Sequence, residues 1–490
     1  MGVNGPLSVN TKVAYGIGQA AEGMKNTAMS TFLMFYYNQV LGMPAGWVAL
    51  AIGTAVIVDA ITDPLAGSIS DYWRSSWGRR HPFMLASAIP LAISFFFLFF
   101  PMVEGNVALF IWLVVFANLT RTAMTLYHVP HLALGAEISN DFDERSAIVA
   151  YRMFFTTVGG ISVSVIGFTF FFRSTDEFTR GQLNPDAYPP FAIFFAVMMA
   201  ITILWSVFGT RSVILFLPQP TDTTRMTLLT VLRRLVDDVR TALSNRSFAW
   251  LFSGVLVIYV MVGVDTALNL YMNTYFWGLT STQIAFLAPA YAIGLLAGSI
   301  ASPWIIRTIG KRTAVMFGTM SWGGWQIIPV ALRLMDVLPE NGDALLVPIL
   351  FAMRVIQGAC TVQANVAFGS MVADIADENE LQSGKRQEGV FFAASSFSNK
   401  CASGFGNIGA GVGLWAIGWP EGKDAIPSAA NLFDLGVLYG PLVAGCAVIS
   451  VWCYSHHRLT REQHQRILEE LEARRNAPNR AHSPESNALT

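Results

Sequence analysis

Long apolar stretches recur along the whole chain, separated by short polar loops. Phe83–Val103 reads FMLASAIPLAISFFFLFFPMV without a single charge, and ~20 such residues are what a helix needs to cross hydrocarbon. Further stretches fall near 13–40, 44–71, 107–135, 147–172 and 190–217. After a polar interval they resume near 247–278, 281–306, 313–335, 343–373, 388–418 and 430–455. The pattern predicts an all-α membrane protein of twelve transmembrane helices in two six-helix halves.

The polar interval carries Arg225, Arg233, Arg234, Arg240 and Arg246 and reads as a linker with an amphipathic helix. The expected division is 1–217 for the first half, 218–246 for the central loop, 247–455 for the second half and 456–490 for the tail. One set of loops collects Arg74, Arg79, Arg80, Arg145, the central arginines, Arg307, Lys311, Arg312, Lys385, Arg386 and the basic tail. The other set has only Arg173, Arg180, Arg333 and Lys423. Positive loops stay cytoplasmic, so both termini are expected there, in a plasma (bacterial inner) membrane. In the tail, Thr460 and Gln463 have capping-box spacing, and 476–490 reads as disordered.

Composition supports the same class. The 490 residues are 53% hydrophobic and 13% charged, against ~25% charged in soluble domains. A net charge of −1 offers no basic footprint for nucleic acid. The opening MGVNGPLSVNTK lacks the features of a cleavable signal, and Pro6 stands where a myristoylation signal carries Ser or Thr. Cys360, Cys401, Cys446 and Cys453 lie in apolar spans without paired spacing and read as small packing residues. No P-loop, G-x-S-x-G or H-E-x-x-H occurs, so neither an enzyme nor a cofactor is expected. The expected partners are a small-molecule substrate and membrane lipid, around a monomer.

The halves echo one another. SSWGRRHPF after the second span has a counterpart in RTIGKRTAV after the eighth. AEISNDFDERSAI after the fourth is matched by ADIADENELQSGKR after the tenth, each echo about 235 residues on. Parallel repeats of this kind build transporters from two related halves.

The second span holds Asp59 and Asp63, four residues apart and therefore on one helical face. An acid at the bilayer centre costs at least ~2.5–3.5 kcal/mol, and two facing acids repel. Two readings are open: a structural ion pair with Lys25 or Arg121, or a site for a coupling Na+ or H+. In the second reading Thr62 and Thr125 add hydroxyl oxygens, and Pro64 opens the helix beside the site.

The segment DAITDPLAGSISDYWRSSWGRRHPF resembles a signature of the glycoside–pentoside–hexuronide:cation symporters, a branch of the major facilitator superfamily. FLMFYYNQVLG is similar to that family's first-span ending, and MVADIADENELQSGKRQEGVFFAASSFSNK to a second signature. The resemblance implies the major facilitator fold, with Asp59 and Asp63 as cation-binding carboxylates that hold Na+ if sodium is the coupling ion. It implies Thr125 as a supporting oxygen and Lys400 as a partner beside the site. On the substrate side the family's first-span acid falls on Gly23, with Glu22 adjacent. Its fourth-span acid and tryptophan fall on His128 and Leu132, and its fifth-span arginine on Met153, with Arg152 adjacent. The polar groups left for a solute are Glu22, Lys25, Arg121, His128, Arg152, Asp265 and Arg354, with Asn269 and Gln357 alongside.

Asp71 with Arg79 and Arg80, and Asp374 and Asp377 with Arg386, read as gating groups that pair with neighbouring helix ends and break as the halves rock. GFGNIG (404–409) spells a nucleotide-binding pattern but lies inside an apolar span, so small-residue helix packing explains it. His131 is not expected to form a metal pair with His128, since no third ligand is evident. The expected function is a cation-coupled symporter importing an organic solute, a sugar or glycoside first. A lysolipid or other amphiphile carrier of the same fold is the alternative, and a non-transporting membrane solute sensor the remote one.

Overall fold

The computed structural model describes residues 7–139, 141–217, 233, 237, 239–383, 388–457 and 461–480. The central amphipathic helix, the Thr460 cap and Arg386 lie outside these residues, as do the side chains of Glu388 and Lys400.

Helix dominates throughout. The first rod, α1, is assembled from Val9–Gly18, Ala20–Thr27 and two wide π turns, Ala28–Leu33 and Tyr36–Val40. There follow α2 (Ala45–Tyr72), α3 (His81–Leu98), α4 (Asn106–Glu137), α5 (Phe142–Ile166, prolonged by Gly167–Phe171) and α6 (Tyr188–Gly209). The second half contains α7 (Arg246–Tyr271, prolonged by Met272–Phe276), α8 (Ser281–Leu287 and Ala290–Ile309) and α9 (Lys311–Leu334). It closes with α10 (Leu346–Ser383), α11 (Glu388–Ala416) and α12, built from Ala429–Val437, Leu438–Leu442 and Val443–Ser455. A tail helix, α13 (Arg461–Arg480), continues into the segment expected to be disordered.

Among the described residues nine helices are long and apolar enough to cross a membrane. α1, α9 and α11 do not meet that test. Large apolar side chains turned outward, such as Ile300, Trp304 and Trp415, match a protein whose solvent is lipid. Pro64 does not open α2, which runs unbroken from Ala45 to Tyr72. Proline is tolerated inside membrane helices where neighbouring helices and local adjustments re-satisfy the freed backbone group.

Helices approach one another through glycine. A side chain at Gly23 would strike the Thr156 carbonyl of α5, and one at Gly159 the backbone of Ala20 in α1. The GFGNIG stretch behaves as small-residue packing: Gly404 lies against Val56 of α2 and Gly406 against the Val260 carbonyl of α7.

The two halves meet away from the termini. α11 lies along the early part of α2, with Ile408 beside Gly53 and Gly411 beside Ala45 and Ala49. At this far face Tyr271 donates to Asn38 Oδ1 (2.9 Å), Tyr275 to Gln39 Oε1 (2.5 Å) and Gln39 to the Pro420 carbonyl (2.9 Å). Gln182 donates to Thr274 Oγ1 at 2.9 Å and accepts from Ser281 at 3.1 Å. On the terminal face, no ion pair among the described residues joins the first half to the second. The hydrogen bonds described between the halves therefore gather on the far face.

The sequence echo has a structural counterpart. Gly78 and Gly310, each just before a basic pair, adopt φ of +73° and +80°, a region open to glycine and costly for other residues. Arg79 Nη2 then reaches Glu137 Oε1 at the end of α4 (2.8 Å), as Lys311 Nζ reaches Asp374 Oδ2 on α10 (2.7 Å).

Candidate functional site

Two contiguous cavities lie between the halves. One, of about 370 Å³, gathers Glu22, Lys25, Asp59, Asp63, Arg121, Thr125 and His128. The other, of about 480 Å³, is lined by Asp265, Arg354 and a set of aromatic, amide and apolar side chains. Asn26, Ser30 and Thr266 line both, so they form one chamber. Such sizes fall within the ~300–1,000 Å³ of small-ligand sites.

The carboxylate pair faces this chamber. Arg121 Nη1 on α4 donates to Asp59 Oδ2 at 2.6 Å, and Thr125 Oγ1, one turn later, donates to Asp63 Oδ1 at 2.8 Å. Helical spacing of four on both α2 and α4 brings the two pairs into register. Of the two readings open for Asp59, the structure contains the ion pair, made with Arg121. Asp59 Oδ1 and Thr62 Oγ1 are buried without a hydrogen-bond partner among the described residues. An open carboxylate oxygen beside a hydroxyl oxygen suits a hard cation, which takes oxygen ligands. No cluster of three or more His, Cys, Asp or Glu poised for a metal occurs among the described residues.

On α1, Gln19 Nε2 contacts His128 Nδ1 at 2.9 Å, and Glu22 Oε2 touches both Gln19 and His128. His128 therefore belongs to the chamber wall. His131 does not: its Nε2 meets the Tyr15 carbonyl at 2.9 Å and its ring stacks on Tyr15 at 4.1 Å. Gly23 explains the displaced first-span acid, because its close approach to α5 leaves no room for a side chain. Met153 is 57% exposed on the outer surface, while Arg152 is half-buried and lines neither cavity.

The second half contributes a continuous polar network. Gln326 donates to Asp265 Oδ1 (2.6 Å) and accepts from Gln357 (2.8 Å), while Arg354 donates to Gln357 Oε1 (2.9 Å) and to the Tyr439 hydroxyl (2.6 Å). Arg354 stands 4.0 Å from Asp265, and Asn269 donates to Tyr439 at 3.1 Å. Trp277, Trp325 and Tyr291 border this network. Reading the sequence for charge found Asp265 and Arg354 but missed Gln19, Asn26, Gln326 and Tyr439. Gln19, Glu22 and Asn26 recur at helical spacing on one face, which is the signal that was available.

The gating residues form pairs that stay within their halves. Arg80 bonds Ser70 Oγ (2.6 Å), Asp71 and Glu137 (2.8 Å), and Arg79 bonds Glu137 (2.8 Å). His464 of the tail helix approaches Asp377 (3.1 Å) and Asp374 (3.6 Å). None of these pairs joins the first half to the second, so rocking of the halves need not break them.

A sequence profile described as MFS/sugar transport protein matches residues 14–461. The chain belongs to that family. This MFS/sugar transport protein is a membrane transporter, not an enzyme. It is 26% identical to the inner membrane symporter YicJ of Escherichia coli, the alignment covering 95% of each chain. It is 24% identical to the isoprimeverose transporter of Lactiplantibacillus pentosus, over 90% of this chain and 88% of that one. A sodium-dependent lysophosphatidylcholine symporter of Xenopus tropicalis is 24% identical, over 81% and 77%. Among solved structures, a bacterial homologue of the iron transporter ferroportin in an inward-facing state superposes with a TM-score of 0.62 at 13% identity, covering 92% of this chain and all of that one. A bacterial homologue of human drug peptide transporters gives 0.61 at 13% identity, covering 96% and 99%. At such identity these two likenesses show the fold alone, the major facilitator fold.

Proposed function

We propose that this MFS/sugar transport protein is a cation-coupled symporter that imports a sugar or glycoside by alternating access, with Na+ or H+ as coupling ion. It works as a monomer with twelve crossings and cytoplasmic termini, and 1–217 and 247–455 are the bodies that rock. Asp59 and Asp63, with Thr62 and Thr125, hold the cation, and Lys400 is their further partner by family resemblance. The solute occupies the chamber between Glu22, Lys25 and His128 on one side and Asp265 and Arg354 on the other, with Arg152 in support behind α1. The observation that carries the reading is the carboxylate pair on α2 opening into the same chamber as a hydrogen-bonding network on the opposite half. Binding the cation lowers the repulsion between the acids and favours the solute-binding state.

The names of the bacterial relatives support a sugar, and the hydrogen bonds that join the halves on the far face support an inward-facing state. The lysophosphatidylcholine relative favours the second reading, an amphiphile cargo; Phe168, Ile284, Leu287 and Met353 give the chamber an apolar side for it. Uptake by proteoliposomes carrying a Na+ or proton gradient tests the proposal. Asp63→Asn is expected to abolish gradient-driven accumulation in a folded protein; retained accumulation refutes the cation assignment. A panel of sugars, glycosides and lysophosphatidylcholine in the same assay separates the two cargo classes.

A further inference from the structure

The proposed cation site already holds a cation that belongs to the chain. The Arg121 guanidinium donates to Asp59 Oδ2 at 2.6 Å. The Asp59 and Arg121 side chains are only 10% and 19% exposed, so little water screens the pair. Lys25 lines the same cavity, but Arg121 is the group bonded to Asp59. One turn along α4, Thr125 offers Asp63 a hydroxyl, which can supply an oxygen to a small cation without leaving. Arg121 can supply no oxygen. Asp59 Oδ1 has no hydrogen-bond partner among the described residues, but a cation seated there between the carboxylates would face the Arg121 charge across one carboxylate group, and that repulsion favours displacement of the guanidinium.

We infer that Arg121 is a tethered competitor of the coupling cation: it occupies Asp59 when the site is empty and is displaced when Na+ binds between Asp59 and Asp63. This inference rests on the cation assignment made above and adds the device by which the ion's arrival is signalled to the chamber. A guanidinium displaced from a carboxylate in a partly buried site does not stay unpaired, because an uncompensated buried charge is costly. The chamber offers it other acceptors: Glu22 and His128 on the same wall, and the hydroxyls of an incoming solute. Arg121 thereby changes partner from Asp59 to solute as the ion enters. By linkage, whatever the ion adds to solute affinity the solute adds to ion affinity.

The test is the Na+-binding curve of the purified, full-length protein, read by intrinsic tryptophan fluorescence and by thermal stability, with no solute present. Loss of one charge-assisted competitor is expected to tighten Na+ binding ~10- to 100-fold in Arg121→Gln. Millimolar methylguanidinium, a soluble copy of the lost group, is expected to weaken Na+ binding to Arg121→Gln back toward the wild-type value while leaving wild type unchanged. Unchanged or weaker Na+ binding in folded Arg121→Gln overturns the inference. If that variant does not fold, Arg121→Lys serves: a shorter, non-planar cation competes less well, so Na+ binding is expected to tighten, and an unaltered curve overturns the inference. A wild-type protein with no Na+ response overturns it too. Proton-driven uptake sensitive to Asp63→Asn would in that case leave the symporter reading standing.

Discussion

Replacing Glu137 by glutamine removes the charge on which two arginines converge. Both Arg79 Nη2 and Arg80 Nη2 lie 2.8 Å from Glu137 Oε1, and the three side chains are 16%, 5% and 15% exposed. Charge-assisted hydrogen bonds contribute ~1.5–3 kcal/mol each. Arg80 retains Ser70 and Asp71, so only part of its stabilisation is lost, whereas Arg79 has no second acceptor recorded among the described residues. Glu137→Gln is therefore expected to cost about 3 kcal/mol. The corresponding change in the second half, Asp374→Asn, removes a partner of Lys311, whose side chain is 36% exposed; solvent screening brings that cost nearer 1 kcal/mol, about the ceiling for exposed pairs. Thermal unfolding of both variants in one detergent measures the difference. Alkylation of single cysteines introduced on either face measures sidedness, which is expected to be unchanged, since all partners of Glu137 travel with one half. Equal destabilisation by the two substitutions, or a shift in sidedness for Glu137→Gln, would refute the view that these basic clusters brace each half internally.

Three further outcomes follow from other contacts. Gln39→Leu removes the acceptor for Tyr275 and the donor to Pro420 across the two halves, so cysteines lining the far side of the chamber are expected to react faster with a membrane-impermeant maleimide; unaltered rates count against the far-face seal. Gly404→Ala drives a methyl group into Val56, and overpacking of this kind costs ~1–3 kcal/mol, to be read as a lower unfolding midpoint. His457, just beyond α12, is buried against Ser247, and burial lowers its pKa. Its unfolded value is ~6.5, so wild type is expected to be fully stabilised above that pH and to lose stability as pH falls below it. His457→Gln should flatten that loss, measured as the unfolding midpoint between pH about 7 and 5.

The helical rods were legible because apolar length is a strong signal, and the echo between the halves was legible because Gly78 and Gly310 must each take a backbone conformation that few other residues tolerate. The irregularity of α1 was not. Its wide turns at Ala28–Leu33 and Tyr36–Val40 arise in a helix packed closely against its neighbours, and hydropathy has no term for that. Helical spacing placed Asp59, Asp63, Arg121 and Thr125 on facing surfaces but left the partner of Asp59 open between Lys25 and Arg121, since both reach the same space. Neutral residues such as Gln326 and Tyr439 carry no charge to mark them in an apolar run, so the network around Arg354 emerged only from three-dimensional packing.

The far-face seal has an electrical consequence. Its hydrogen bonds join amides, phenols, hydroxyls and backbone groups, and Arg180 of the loop before α6 lies over the Tyr275 ring at 5.2 Å. A charge must traverse the membrane field to gain the ~2.3 kcal/mol that 100 mV supplies. The hydrogen bonds broken on opening this seal join uncharged groups. Under the proposed cation assignment, voltage dependence of the transport current is expected to arise in the chamber, where Asp59, Asp63 and Arg121 lie midway along α2 and α4.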